Sequence, residues 1–256
     1  MIMGVFAGCE KAYSPIPKED IKVSAPTSAE ITALSEQIRQ LVKKLNYSDK
    51  VAQDFVQMVS GWKDEQGRPV LVVWKEKLAK AKEECKQGKI SEAQLATLEE
   101  SRIDELAQRI QKEISAVFSK KFFDLPDVVK NKQGQCVGYS QLVYIAGNSV
   151  GLSVQAIDVV ELMTLGLLPP EADHTASIVS LTDGRTMMLD LVAGGFISKP
   201  FIIEEEFTKV GNYLELKDKT NPLGIHRRIQ IYERNGLIAA IYSRRGTVYS
   251  GLAQLP

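Results

Sequence analysis

The chain has 256 residues, with 32 basic side chains balanced by 32 acidic ones, and 44% of its residues are hydrophobic. That length gives one large domain or two modest ones a full core, and the zero net charge argues against nucleic acid as a partner. Three cysteines and two histidines make neither a disulfide framework nor a zinc pattern, so neither a metal nor a cofactor is expected.

In chain order, the first segment is Met1-Ile2-Met3-Gly4-Val5-Phe6-Ala7-Gly8-Cys9. It looks like the end of a bacterial lipoprotein signal, with Phe6 where leucine is usual and no basic start. Two alternatives stand. Either Cys9 carries a lipid anchor on a chain that begins upstream, placing the protein in the bacterial cell envelope, or this is an ordinary N-terminus with a chance cysteine, which leaves the protein cytoplasmic. Ser14-Pro15-Ile16-Pro17-Lys18 and Ser24-Ala25-Pro26-Thr27-Ser28 favour extended backbone, so residues 1–27 read as a disordered tether or signal remnant.

Residues 28–121 read as a helical region. Ser28-Ala29-Glu30 supplies a capping start, and Ile31, Leu34, Ile38, Leu41, Val42 and Leu45 recur at helical spacing. Ser48-Asp49 opens a shorter amphipathic helix through Val51, Phe55, Met58 and Val59. After the break at Gln66-Gly67-Arg68-Pro69, one helix runs to Lys86. Another starts at Ser91 and continues through Leu106, Ile110, Ile114 and Val117. The two meet near Gly88 as a long helical hairpin, whose charges read as solvated faces or as a surface for a partner protein. Cys85 is an incidental thiol.

Residues 122–235 differ in character. A loop leads to Cys136, and Val137, Leu142, Val143, Ile145 and Val150 predict a buried helix closing at Gly151. Leu152 to Val160 alternates as a strand. Pro169-Pro170-Glu171-Ala172-Asp173 is a loop, and Thr175–Leu181 and Thr186–Val192 are strands joined at Thr182-Asp183-Gly184. Helices followed by antiparallel strands make an α+β protein. Residues 236–256 are helical again. There Tyr242, Gly246 and Tyr249 have the spacing of the first helix of a tetratricopeptide repeat, whose partner helix would follow the last residue.

Cys136 stands at the mouth of its predicted helix, where the helix dipole favours a thiolate. Its bland alternative is a small buried hydrophobe. His174 opens one strand and Asp190 interrupts the apolar run of the next, where a buried charge costs several kcal/mol unless paired. A two-residue turn at Asp183-Gly184 would put His174 and Asp190 on opposite faces. A three-residue loop ending in Gly184, a type I turn plus bulge, sets Asp190 opposite Ala176. His174 then lies on the diagonal, about 7–8 Å away at Cα. His226 lacks a carboxylate context and reads as structural.

These residues resemble the transglutaminase-like superfamily of papain-fold cysteine enzymes. Gly134-Gln135-Cys136 leading into a helix with Gly138 and Ser140, His174 at a strand start, and Leu189-Asp190-Leu191 in the next strand carry the likeness, over roughly residues 124–197. It implies a cysteine helix packed on an antiparallel sheet, with Cys136 as nucleophile, His174 as general base and acid, and Asp190 as orienter. It also implies an oxyanion held by the Cys136 N–H and a second donor, for which Gln133 and Gln135 are candidates. The expected reaction is acyl transfer on a protein or peptide amide through a thioester, by hydrolysis rather than transamidation. Thr175 replaces the aromatic residue that commonly follows the histidine. The rival expectation is a catalytically silent scaffold that binds partner proteins through the helical hairpin or terminal repeat.

Overall fold

In this computed structural model the structure describes residues 25–117, 121–162, 174–192, 195–218, 220, 223, 226–232 and 235–252. The N-terminal signal-like segment with Cys9 and the loop at Pro169–Asp173 lie outside them. Four helices come first: α1 (Ser28–Lys44), α2 (Asp49–Ser60), α3 (Val70–Lys86) and α4 (Glu92–Glu113). Thr27, one residue before the expected cap, starts α1 by exchanging side-chain and backbone bonds with Glu30. Ser91 and Gln94 do the same for α4, so α3 and α4 form the expected hairpin. Its charges are not all solvated: Glu99 is buried.

The helix expected to run on through Val117 ends at Glu113, and Ile114 is extended. Ser115–Ala116 (β1) instead pairs in parallel with Gln133–Gly134 (β2). Helical periodicity yields there to a tertiary contact, because Ile114 is buried against Gly134 and its carbonyl accepts the Tyr139 hydroxyl at 2.5 Å. Between the two short strands lies α5 (Leu125–Asn131), and directly after β2 comes α6 (Cys136–Ser149). The β1–β2 pairing thus positions the residues that enter the cysteine helix.

The remaining strands are β3 (Ser153–Leu162), β4 (His174–Ser180), β5 (Thr186–Asp190), β6 (Phe196–Ile197), β7 (Phe207–Val210), β8 (Tyr213–Leu216) and β9 (His226–Ile231). A short helix, α7 (Ile203–Glu206), precedes β7. The strands form a seven-stranded antiparallel sheet in the order β6-β5-β4-β3-β9-β8-β7. One face, through Val154, Ala156, Val179, Met187 and Leu189, shares a continuous core with α1–α6. The other, through Ile157, Val159, Ala176, Ile178, Met188 and Ile229, packs on the β7–β9 side. The protein is therefore α+β with an antiparallel sheet, and among the described residues no helix is long and apolar enough to cross a membrane. The last element, α8 (Gly236–Leu252), lies against α6 and β3.

Candidate active site

The β4–β5 hairpin takes the three-residue loop. The Leu181 and Gly184 amides bond to the carbonyls of Arg185 and Leu181, and Gly184 sits at φ +86°. Here the bulge geometry needs glycine. Ser177 pairs with Leu189, so Asp190 comes opposite Ala176. Buried Glu99 of α4 fixes the loop from below, accepting from the Thr182 N–H at 2.8 Å and its hydroxyl at 2.9 Å. His174 extends the row of Ala176 and Ile178, and Asp190 that of Met188, on the face away from α6. Their side chains meet there, His174 Nε2 standing 2.5 Å from Asp190 Oδ2.

Cys136 is the first residue of α6, so its N–H has no acceptor within the helix. The His174 side chain and the Thr175 backbone N–H both act to lower the pKa of its thiol. With Nε2 on Asp190, the Nδ1 atom is left for the sulfur. Gln135 touches the thiol as well, its Oε1 lying 3.2 Å from Cys136 Sγ. Gln133 is held in β2, so among the described contacts only Gln135 of the two oxyanion candidates adjoins the cysteine.

Electrostatics favour an ion pair. Burial opposes ionisation of Asp190, but hydrogen bonds from His174 and His226 outweigh it and hold the carboxyl well below its usual range. Burial likewise opposes a charged His174, yet its bonds to Asp190 and Cys136 push it up to about 10. Burial raises the Cys136 thiol; the His174 bond and charge, the Thr175 N–H and the charge of Arg244 reverse that and leave it below an ordinary thiol. Both shifts run in the direction that favours a thiolate beside an imidazolium.

One reading is corrected. His226 does have a carboxylate: its Nε2 lies 2.9 Å from the same Asp190 Oδ2, and its ring is buried beside Phe196. The missing signal is topological, because β9 is separated from β5 by β3 and β4. The β3 register slips twice opposite the start of β9, and such irregularity adds twist that lets distant strand ends converge. His174, Asp190 and His226 bring three donor atoms within 4.8 Å of one another. A metal would fit poorly, because donors sharing a tetrahedral zinc stand roughly 3.3 Å apart, whereas His174 Nε2 and Asp190 Oδ2 are 2.5 Å apart.

Between α8 and the sheet is a cavity of about 170 Å³ lined by Asp158, Thr175, Tyr232, Ser243 and Arg244. The helix over it is clamped in place: Arg245 grips Asp124 with two bonds of 2.8 Å. Asp124 accepts from Tyr47 at 2.5 Å. Compared with family models, with curated proteins and with solved structures, the chain finds no match.

Proposed function

We propose that the protein is a cysteine-nucleophile acyl-transfer enzyme with a papain- or transglutaminase-like core. The observation that carries this reading is the buried His174–Asp190 pair at 2.5 Å, with Cys136 at the start of a buried helix and its thiol drawn down by His174. The Cys136 thiolate attacks an amide carbonyl carbon, and the oxyanion forms beside the Cys136 N–H and the Gln135 side-chain NH2, which turns to it as Oε1 leaves the sulfur. The His174 imidazolium gives its proton to the leaving amine as the C–N bond breaks. A thioester on Cys136 remains. Water then attacks it, His174 taking the water's proton, and the acid is released with the thiol restored. Asp190 holds the imidazole in orientation throughout.

A protein or peptide amide is the proposed substrate, in line with the resemblance of these residues to that superfamily. The cavity over Thr175 is large enough for one side chain of the acyl group but not for a whole peptide. Lipid attachment at Cys9 and an envelope location belong to the same proposal.

The test is the pH dependence of iodoacetamide labelling, read residue by residue with Cys85 as control. Cys136 should react well below the ordinary thiol value of about 8.5, and His174→Ala should abolish that advantage. Cys136→Ala should also end turnover of a peptide-amide library. A Cys136 that labels no faster than Cys85 would sink the enzyme. One observation favours the scaffold reading, in which partners bind through the helical hairpin or α8: the thiol is only 6% exposed. The inert thiol is its signature.

A further inference from the structure

Among the titratable groups of the site, His226 has no part in the proposed three-residue mechanism, yet it is buried as completely as any residue in the chain, at 0% exposure. It places Nε2 2.9 Å from the carboxylate oxygen that His174 also contacts. Among the described residues its Nδ1 has no hydrogen-bond partner and is shut off from solvent. An imidazole in that setting carries a proton on Nε2, the one nitrogen with an acceptor. Asp190 Oδ1 meanwhile takes the Val192 N–H at 3.3 Å. The carboxylate is therefore gripped from two further sides besides that of His174. A lone anion inside an apolar sheet would be costly, and each such donor lowers that cost.

We propose that His226 is a positioning residue, a second imidazole that holds Asp190 ionised and aimed so that His174 can keep Cys136 as thiolate. The inference rests on the reading of Cys136 as nucleophile. It makes the site a relay of four groups: thiol, imidazole, carboxylate, imidazole. The fourth comes from β9, on the far side of β3. His226 lies outside the lining of the cavity; it meets the site through Asp190 and through its ring, stacked 6.4 Å from that of His174. The other charged group that bears on the thiol is Arg244 from α8, which shares the lining of the cavity with Asp158 of β3; neither contacts His226 among the described interactions.

The experiment uses the full chain with His226→Gln and His226→Leu. Glutamine carries its amide nitrogen at about the reach of Nε2 and keeps the donor; leucine removes it. Iodoacetamide labelling of Cys136 is followed against pH, with circular dichroism checking the fold. The leucine variant should move half-maximal labelling upward by about one pH unit, tenfold in thiolate population at a fixed acidic pH. The glutamine variant should restore most of that shift. A folded leucine variant with the wild-type profile, or a glutamine variant no better than leucine, overturns the proposal. Should leucine fail to fold, histidine nitrogen NMR on the wild-type chain decides. His226 should show the Nε2–H form, and its Nε2–H resonance should shift when Cys136 is alkylated and His174 loses its proton. A resonance indifferent to alkylation, or the Nδ1–H form, overturns the inference. If wild-type Cys136 itself labels like Cys85, the nucleophile reading has failed first, and that result differs from every outcome for His226.

Discussion

A single carboxylate concentrates most of the site's electrostatics. Asp190 is 1% exposed and receives both histidines on one oxygen. Replacing it with asparagine keeps the volume but removes the charge that raises His174. The sign follows directly: His174 drops towards its ordinary range, and Cys136 loses its imidazolium and rises. Asp190→Asn should therefore shift half-maximal Cys136 labelling to higher pH and reduce peptide-amide turnover about 10²–10⁴-fold. Labelling and turnover that both match wild type would show the aspartate to be a bystander. His174 and Asp190 were readable from residue type and spacing, because a polar group inside an apolar run demands a partner. His226 was not, because an alternating His-Arg-Arg-Ile stretch reads the same wherever its strand inserts in the sheet.

Among the elements, α6 matters most, since it must lie close to the sheet for its first residue to reach β4. Gly147 permits that approach. A Cβ at this position would lie 2.5 Å from Val154 Cγ2 of β3, well inside contact distance. Gly147→Ala adds up to about 1 kcal/mol of helix propensity, but overpacking costs about 1–3 kcal/mol, and the clash should win. The urea midpoint should fall; a midpoint equal to or above wild type would show that β3 yields freely. The β4–β5 loop is an element whose geometry followed from sequence, because glycine in third place of Thr182-Asp183-Gly184 suits one turn type. The end of α4 did not follow. Ile114 and Val117 continue a helical pattern, and only the pairing of β1 with β2 breaks it.

Across the whole molecule, α8 packs on α6 and β3 and covers the cavity over Thr175. Its hold is the Arg245–Asp124 pair, largely shielded, with the guanidinium over the Tyr47 ring at 5.1 Å. Asp124 precedes α5, and the Phe122 carbonyl beside it accepts the Gln135 N–H at 2.9 Å. The clamp therefore connects the last helix to the residues just ahead of Cys136. Arg245→Ala should cost about 1–2 kcal/mol. It should speed amide exchange in α8 and raise the limiting alkylation rate of Cys136 at high pH, where all the thiol is ionised. Unchanged exchange in α8 would mean that apolar packing through Leu237 and Ile241, both buried, holds the helix without the ion pair.

The sequence by itself determined the α+β class, the four leading helices, the turn type of the β4–β5 hairpin and the pairing of His174 with Asp190. Those features are local: helical and strand periods, capping residues, a glycine at a required positive φ, and a charge with no place in an apolar strand. Tertiary structure decided the rest. Strand order across seven strands, the convergence of β9 on Asp190, the burial of Glu99 under the hairpin loop and the seating of α8 beside the thiol all join residues far apart in the chain. No local pattern encodes such pairings. They arise because apolar sheet faces must be covered and a buried carboxylate must find its donors, and the chain satisfies both demands only when folded.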